Sequence, residues 1–244
     1  MENYLQKALE NQVTNYFMSV VDTVLDYKDM MLAYDCAIKE IRTKFDILNS
    51  EFKIKHQRNP ISSIHSRLKS NSSLMEKIRR RGIATDVESI EKYIEDIAGV
   101  RVICNYIDDI YKIADSLIRQ NDVELLTRKD YISNPKPNGY RSLHLIVKIP
   151  VFFADTTKEV KVEVQIRTIA MDFWATLEHQ MRYKKTELDE ADSIIEELRQ
   201  CAESIAQTDM KMQSIRESIN NLKIEKSQEE KFIEKLKKLD ISII

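Results

Sequence analysis

Four stretches of the sequence carry charged and polar side chains in patterns that a buried core would not hold without partners. The first runs Arg67-Leu-Lys69-Ser-Asn-Ser-Ser73-Leu-Met-Glu-Lys77-Ile-Arg79-Arg80-Arg81-Gly82. Read as a helix that starts near the serines, it sets Ser73 and Lys77 one turn apart, with Arg67 and Lys69 just before it. Hydroxyls, free amides at a helix start and cationic side chains together make a cradle for a polyphosphate. The same residues suit a solvated basic helix capped by its serines.

The second stretch, Glu95-Asp96-Ile-Ala-Gly99-Val-Arg101, puts a carboxylate at the mouth of an apolar strand and an arginine five residues on. One or two carboxylates with phosphate oxygens and water suit Mg²⁺; an N-cap aspartate and a surface ion pair are the other reading. The third, Lys129 to His144, contains the turn signal Pro137-Asn138-Gly139, followed by Tyr140, Arg141 and His144 entering a strand. Tyr140 offers a stacking face for a base. Lys136, Arg141 and His144 offer phosphate contacts. A core tyrosine at a strand start fits equally well.

The fourth is Glu163-Val-Gln165-Ile-Arg167-Thr168, then Met171-Asp172-Phe173-Trp174. By the period of two, Glu163, Gln165 and Arg167 share one strand face, an acid, an amide and a guanidinium that suit a metal-and-phosphate site or a solvated sheet surface. Phe173 and Trp174 are expected in the core.

These groups need a scaffold, and the periodicity supplies one. Leu143, Leu145, Val147 and Ile149 alternate with polar residues, as do Val160, Val162, Val164 and Ile166. Two half-buried strands follow, closed as an antiparallel pair by residues 151–157. Gly99 to Cys104 reads as a further strand, ahead of a helix over 108–120. Tyr34, Ile38, Ile41, Phe45, Leu48 and Phe52 form one helical stripe within a helical stretch from about Asn15 to Lys55. From Asp189 onward glycine and proline are absent. Ile194, Leu198, Cys201, Ile205, Thr208, Met212, Ile215, Ile219 and Leu222 follow a heptad rhythm that calls for a partner, the N-terminal helices or another subunit. The last residues, KFIEKLKKLDISII, read as a charged, fraying end. The divisions expected are a helical extension over 1–57, a central domain over 58–187 and a helical segment over 188–244.

Composition narrows the classes. The chain has 244 residues with only 3 glycines and 4 prolines, too few for a turn-rich β-sandwich or a disordered chain. A formal net charge of −2 argues against a dedicated duplex-DNA binder and leaves RNA open. Cys36, Cys104 and Cys201 are odd in number and far apart, which suits a reducing compartment. The start MENYLQKALENQ lacks the basic-then-apolar pattern of a signal peptide, and no apolar run reaches membrane length, so a cytoplasmic protein is expected.

The ordered series R-x-K-x3-S-x3-K, DIAGVR, KDYI with GYRSLH, EVQIRT and FWATLEH resembles the synthetase domain of the RelA/SpoT family over about residues 66–184. With its helical flanks the chain is similar to stand-alone small alarmone synthetases of the RelQ type. The resemblance implies an α/β (α+β) fold, a mixed sheet flanked by helices and similar to nucleotidyltransferases. It implies transfer of the β,γ-pyrophosphate of ATP to the 3′-hydroxyl of GDP or GTP, with GMP also open, releasing AMP.

Carried over residue by residue, Arg67 and Arg101 flank adenine, and Lys69, Ser73 and Lys77 hold the phosphates of ATP. Asp96 and Glu163 bind Mg²⁺, and Glu163 takes the proton of the attacking hydroxyl. Tyr140 stacks on guanine, with Lys136, His144 and Gln165 on the acceptor side. Asp172 stands where relatives have asparagine; it can accept from guanine N1–H and N2–H₂ or repel the acceptor's phosphates. None of His56, His65, His144 and His179 precedes an aspartate, so the resemblance implies synthesis without hydrolysis. It also suggests a homotetramer. A catalytically silent nucleotide- or RNA-binding module on the same fold is the alternative, and retention of both Asp96 and Glu163 weighs against it.

Overall fold

A computed structural model of the protein describes residues 2–183 and 191–223. Helix α1 spans Glu2–His56 as one continuous element, with no glycine or proline to interrupt it. It replaces the several N-terminal helices expected and starts earlier than Asn15. Met30, Ala33, Tyr34, Ala37, Ile38, Ile41, Phe45 and Leu48 bury the expected stripe, and Phe52 at its end is half-buried.

Strand β1 (Ile61–Leu68), helices α2 (Asn71–Arg81) and α3 (Val87–Tyr93), strand β2 (Ala98–Cys104) and helix α4 (Ile107–Ile118) follow. Next come β3 (Glu124–Asp130), β4 (Leu143–Phe152), β5 (Thr157–Thr168), α5 (Ile169–Tyr183) and α6 (Ala191–Lys223). The five strands form one mixed sheet in the order β1-β2-β5-β4-β3, with β2 and β5 parallel and the other pairs antiparallel. The β4–β5 hairpin is paired to Phe152 and Thr157, so its turn is shorter than the 151–157 expected.

One face of the sheet is apolar. Val100, Val102, Leu143, Leu145, Val147, Val162, Val164 and Ile166 are buried there, and α1 and α4 pack against β2 and β5. Alternation puts every second residue on the opposite face. Across it the register aligns His65, Arg101, Gln165, His144 and Lys129, one from each strand. The adjacent row is Arg67, Gly99, Glu163, Ile146 and Thr127. A Cβ on Gly99 would lie 3.4 Å from Arg67 Cγ, so glycine leaves room for that arginine to lie across the sheet.

Helix α6 packs on α5 and α4 rather than along α1. Leu198, Ala202, Ile205, Asp209 and Arg216 make its inner side. Arg216 pairs with Asp108 at 2.6 Å, and Thr168 donates to Asp209. Among the described residues the heptad stripe is used in part: Ile194, Leu198 and Ile205 are half-buried, while Cys201, Met212, Ile215 and Ile219 are exposed. The reason is that α6 approaches through a small alanine and polar anchors, which a reading of apolar periodicity passes over. The side chain of Leu222 and the KFIEKLKKLDISII end lie outside the described residues. Trp174 is buried as expected, but Phe173 is 60% exposed and not part of the core. No helix among the described residues is long and apolar enough to cross a membrane.

Phe45 is fully buried where α1 meets the sheet. Phe45→Ala is expected to lower unfolding free energy by about 3–5 kcal/mol in urea denaturation, and Phe52→Ala by much less.

Candidate active site

The chemistry gathers on the polar face. Ser70 caps α2, its hydroxyl accepting from the Ser73 amide at 3.3 Å, and Gly82 ends the helix in the left-handed conformation at φ 63°. No acidic residue occupies the first turn, so the positive end of the helix faces outward uncompensated. The serine cap is thus observed, with Ser70 as the capping residue and Ser73 in the first turn.

Strand β1 carries Arg67, and the Lys69 amide donates to Ile97 O at 2.8 Å, which brings Lys69 beside β2. Lys69 Nζ and Lys77 Nζ then donate to the two oxygens of Asp96, at 2.9 and 2.7 Å. Burial works against the Asp96 charge. The hydrogen bonds and charges of the two lysines outweigh it and hold the carboxyl below its ordinary range.

Two cavities open on this face. A slot of about 140 Å³ has His65, Ser66, Arg67, Gly99, Arg101, Glu163 and Gln165 in its walls. A neighbouring cavity of about 160 Å³ is lined by Lys77, Arg81, Glu95, Asp96, Lys129, His144 and Glu163 among others. Glu163 belongs to both. Among the described residues no three potential ligating side chains converge on one point. Asp96 and Glu163 on one polar cavity, with cations around them, fit a hard divalent cation that takes one or two carboxylates and completes its shell with phosphate oxygens.

Beyond Glu163 lies an aromatic and cationic cluster. Lys136 Nζ is 4.7 Å from the ring centres of both Tyr131 and Tyr140. Arg167 is only 4% exposed; it donates to Ser142 Oγ at 3.3 Å, Gln165 Oε1 at 3.0 Å, Asp172 Oδ1 at 3.1 Å and the Tyr140 hydroxyl. With His144 neutral and its Nδ1 proton directed at Glu163, Nε2 is an acceptor, and the Tyr140 hydroxyl donates to it at 2.8 Å. His144 Nδ1 then faces Glu163 Oε1 at 3.6 Å. Burial, followed by Arg167, Lys136, Lys129 and Arg101, lowers the His144 pKa to about 3, so this contact joins a neutral ring to a carboxylate.

Of the residues singled out, Arg67, Arg101, Glu163 and Gln165 come together at the slot. Lys77, Asp96, His144 and Glu163 meet at the second cavity, with Lys69 bonded to Asp96. Asp172 accepts from Arg101 at 3.4 Å as well as from Arg167, so two guanidiniums offset its charge.

The family described as the region found in RelA / SpoT proteins matches residues 66–188. The GTP pyrophosphokinase YwaC of Bacillus subtilis is 42% identical over 204 residues, 83% of this chain and 97% of that one. The chain belongs to the RelA/SpoT family. The crystal structure of small alarmone synthetase 2 from Bacillus subtilis aligns with a TM-score of 0.71 at 42% identity, covering 79% of this chain and 99% of that one. Small alarmone synthetase 1 from the same organism, bound to its product pppGpp, aligns at 0.71 and 33% identity, covering 79% and 97%. The mixed sheet with flanking helices is therefore that of the RelA/SpoT synthetases, as the sequence led one to expect.

Sequence reasoning gave no role to Tyr131, Arg81, Lys129 or Glu95; it placed Arg167 on the polar face as part of a metal-and-phosphate site, whereas the structure buries it as an anchor for Tyr140, Gln165 and Asp172. For Arg167 the alternation was the available signal. For Lys129 and Tyr131 it lay in the β3–β4 register, which the sequence does not state.

An unfolded chain binds a proton on histidine near pH 6.5, whereas folded His144 binds its proton only near pH 3. The unfolded state thus holds more protons in that window, and the His144 contribution to stability falls as pH drops through it. Urea midpoints of His144→Asn are expected to decline less steeply than those of wild type from pH 6.5 to 5.

Proposed function

We propose that the protein is an alarmone synthetase that transfers the β,γ-pyrophosphate of ATP to the 3′-hydroxyl of GDP or GTP, with GMP as a further acceptor. The observation that carries the reading is Glu163 on the shared wall of the two cavities. A donor nucleotide and an acceptor hydroxyl have to meet at one carboxylate.

Arg67 and Arg101 both line the slot, and guanidinium planes stack well on purine faces. Arg67 and Arg101 would therefore hold adenine. Lys69, Ser73, Lys77 and the start of α2 would take the phosphates. When phosphates arrive, the two lysines exchange the carboxylate of Asp96 for phosphate oxygens. Magnesium held by Asp96 and Glu163 would supply charge neutralisation at the transferring phosphates.

On the other side Tyr140 stacks on guanine, its hydroxyl fixed by Arg167 and neutral His144, while Lys136 meets the acceptor's phosphates. Gln165 donates to Glu163 Oε2 at 3.1 Å and so orients the carboxylate that takes the proton from the 3′-hydroxyl. That oxygen attacks the β-phosphorus of ATP, the bond to the α-phosphate oxygen breaks, and AMP leaves. Alignment and charge stabilisation do most of this work, as in phosphoryl transfer generally. The exposed apolar residues Val20, Val21, Val24 and Leu25 on α1, with Met212, Ile215 and Ile219 on α6, support the proposed homotetramer. The placement is taken to be cytoplasmic.

Incubation with ATP, Mg²⁺ and GMP, GDP or GTP in turn is expected to yield a 3′-pyrophosphorylated guanosine nucleotide with matched AMP. Glu163→Gln should lower the rate by about 10²–10⁴-fold. Nucleotide binding without AMP from any acceptor would make the protein a silent binder instead.

A further inference from the structure

The turn over residues 136–140 presents Lys136 and Tyr140 to the acceptor side. It is closed by Gly139 N donating to Lys136 O at 2.8 Å and Lys136 N donating to Tyr140 O at 3.2 Å. Its outer surface rests on α6. A Cβ built on Gly139 would come within 2.5 Å of Ala202 Cβ and 3.4 Å of Arg199 Cα, and Ala202 is 3% exposed. Arg141 Nη1 donates to Gly139 O and to Ala202 O, both at 3.3 Å, and Nη2 reaches Glu203 at 3.4 Å. One guanidinium thus ties the turn to the backbone of the helix. Trp174 Nε1 donates to Leu198 O at 2.9 Å, and Tyr140 packs on the cluster of Trp174, Ala175 and Ala202.

The ring of Tyr140 is therefore held from two sides: its hydroxyl by Arg167 and His144, its turn by α6. Neither the slot proposed for adenine nor the cavity that holds Asp96 has an α6 residue in its walls. We propose that α6 positions the acceptor nucleotide, with Ala202 as the positioning residue that sets how far the 136–140 turn, and with it Tyr140, stands from the catalytic carboxylate. The proposal rests on the pyrophosphokinase reading for what Tyr140 binds. It assigns α6 a role in acceptor affinity besides any part in assembly. A shift of α6 then reaches the acceptor before it reaches ATP.

A double-mutant cycle on the full chain tests this, read by titration calorimetry with GDP and, separately, with α,β-methylene-ATP, and by thermal melting. Gly139→Ala pushes the turn off the helix and should weaken GDP binding about tenfold, with the ATP analogue bound as in wild type. Ala202→Gly removes the opposing methyl. It lowers the melting temperature, because glycine weakens a helix interior, and loosens GDP binding slightly. Combined, the two changes should recover part of the lost GDP affinity; the φ of 87° at residue 139 keeps recovery incomplete. A loss and recovery confined to GDP, with the ATP analogue bound as in wild type throughout, is the signature that a packing role alone would not give. A double variant no better than Gly139→Ala, or equal loss for both ligands, overturns the proposal. Wild type that binds both ligands yet forms no AMP refutes the enzyme reading while the cycle still tests α6, and wild type that binds no guanosine nucleotide refutes both.

Discussion

The site depends on the carboxylate of Asp96 being held between two ammonium groups. Lys69 arrives from the end of β1, Lys77 from the second turn of α2, and Asp96 from the approach to β2. All three are largely buried, so each needs the others: a partly desolvated charge without a partner costs several kcal/mol. The pairing draws β1, α2 and β2 together at one end of the sheet. It also leaves the trio with an excess positive charge beside the positive end of a helix. An arrangement that is stable when empty yet still cationic is suited to receive polyphosphate, because incoming anions replace one set of charge-assisted bonds with another.

The side proposed for the acceptor is organised differently. There the anchor is a buried arginine: Arg167 has its donors spread over Ser142, Gln165, Asp172 and Tyr140. It orders an aromatic surface and an amide that would otherwise be free to rotate. The same positive charge, together with burial, keeps His144 neutral, and a neutral ring can accept from Tyr140 where an imidazolium could not. Asp172 closes the balance between Arg101 and Arg167. With two guanidiniums on it, this carboxylate presents far less net repulsion to an anionic acceptor than its isolated charge suggests.

How much of this could be read from the chain follows from what each element buries. Strands β4 and β5 alternate valine, leucine and isoleucine with polar residues because one face is core, and the alternation made them legible. Strands β1 and β3 are the two edges of the sheet; Ile61–Leu68 and Glu124–Asp130 bury little, carry serine, lysine, arginine and glutamate, and show no such rhythm. Arg67 could thus be named from its motif while the strand that holds it was not. The rows across the sheet, His65 to Lys129 and Arg67 to Thr127, are a product of register, which comes from long-range pairing. Helix α6 had a clear apolar rhythm, yet its docked side was set by Ala202, Asp209 and Arg216.

In the proposed reaction the Lys69–Asp96–Lys77 trio exchanges its internal bonds for phosphate, and the carboxylate is freed for the metal. Calorimetric affinity for α,β-methylene-ATP in wild type and Asp96→Asn, with and without Mg²⁺, tests this directly. A crossover is expected: without magnesium the variant binds more tightly, its lysines no longer held by a carboxylate, and with magnesium wild type binds more tightly. Equal weakening of the variant under both conditions would contradict it.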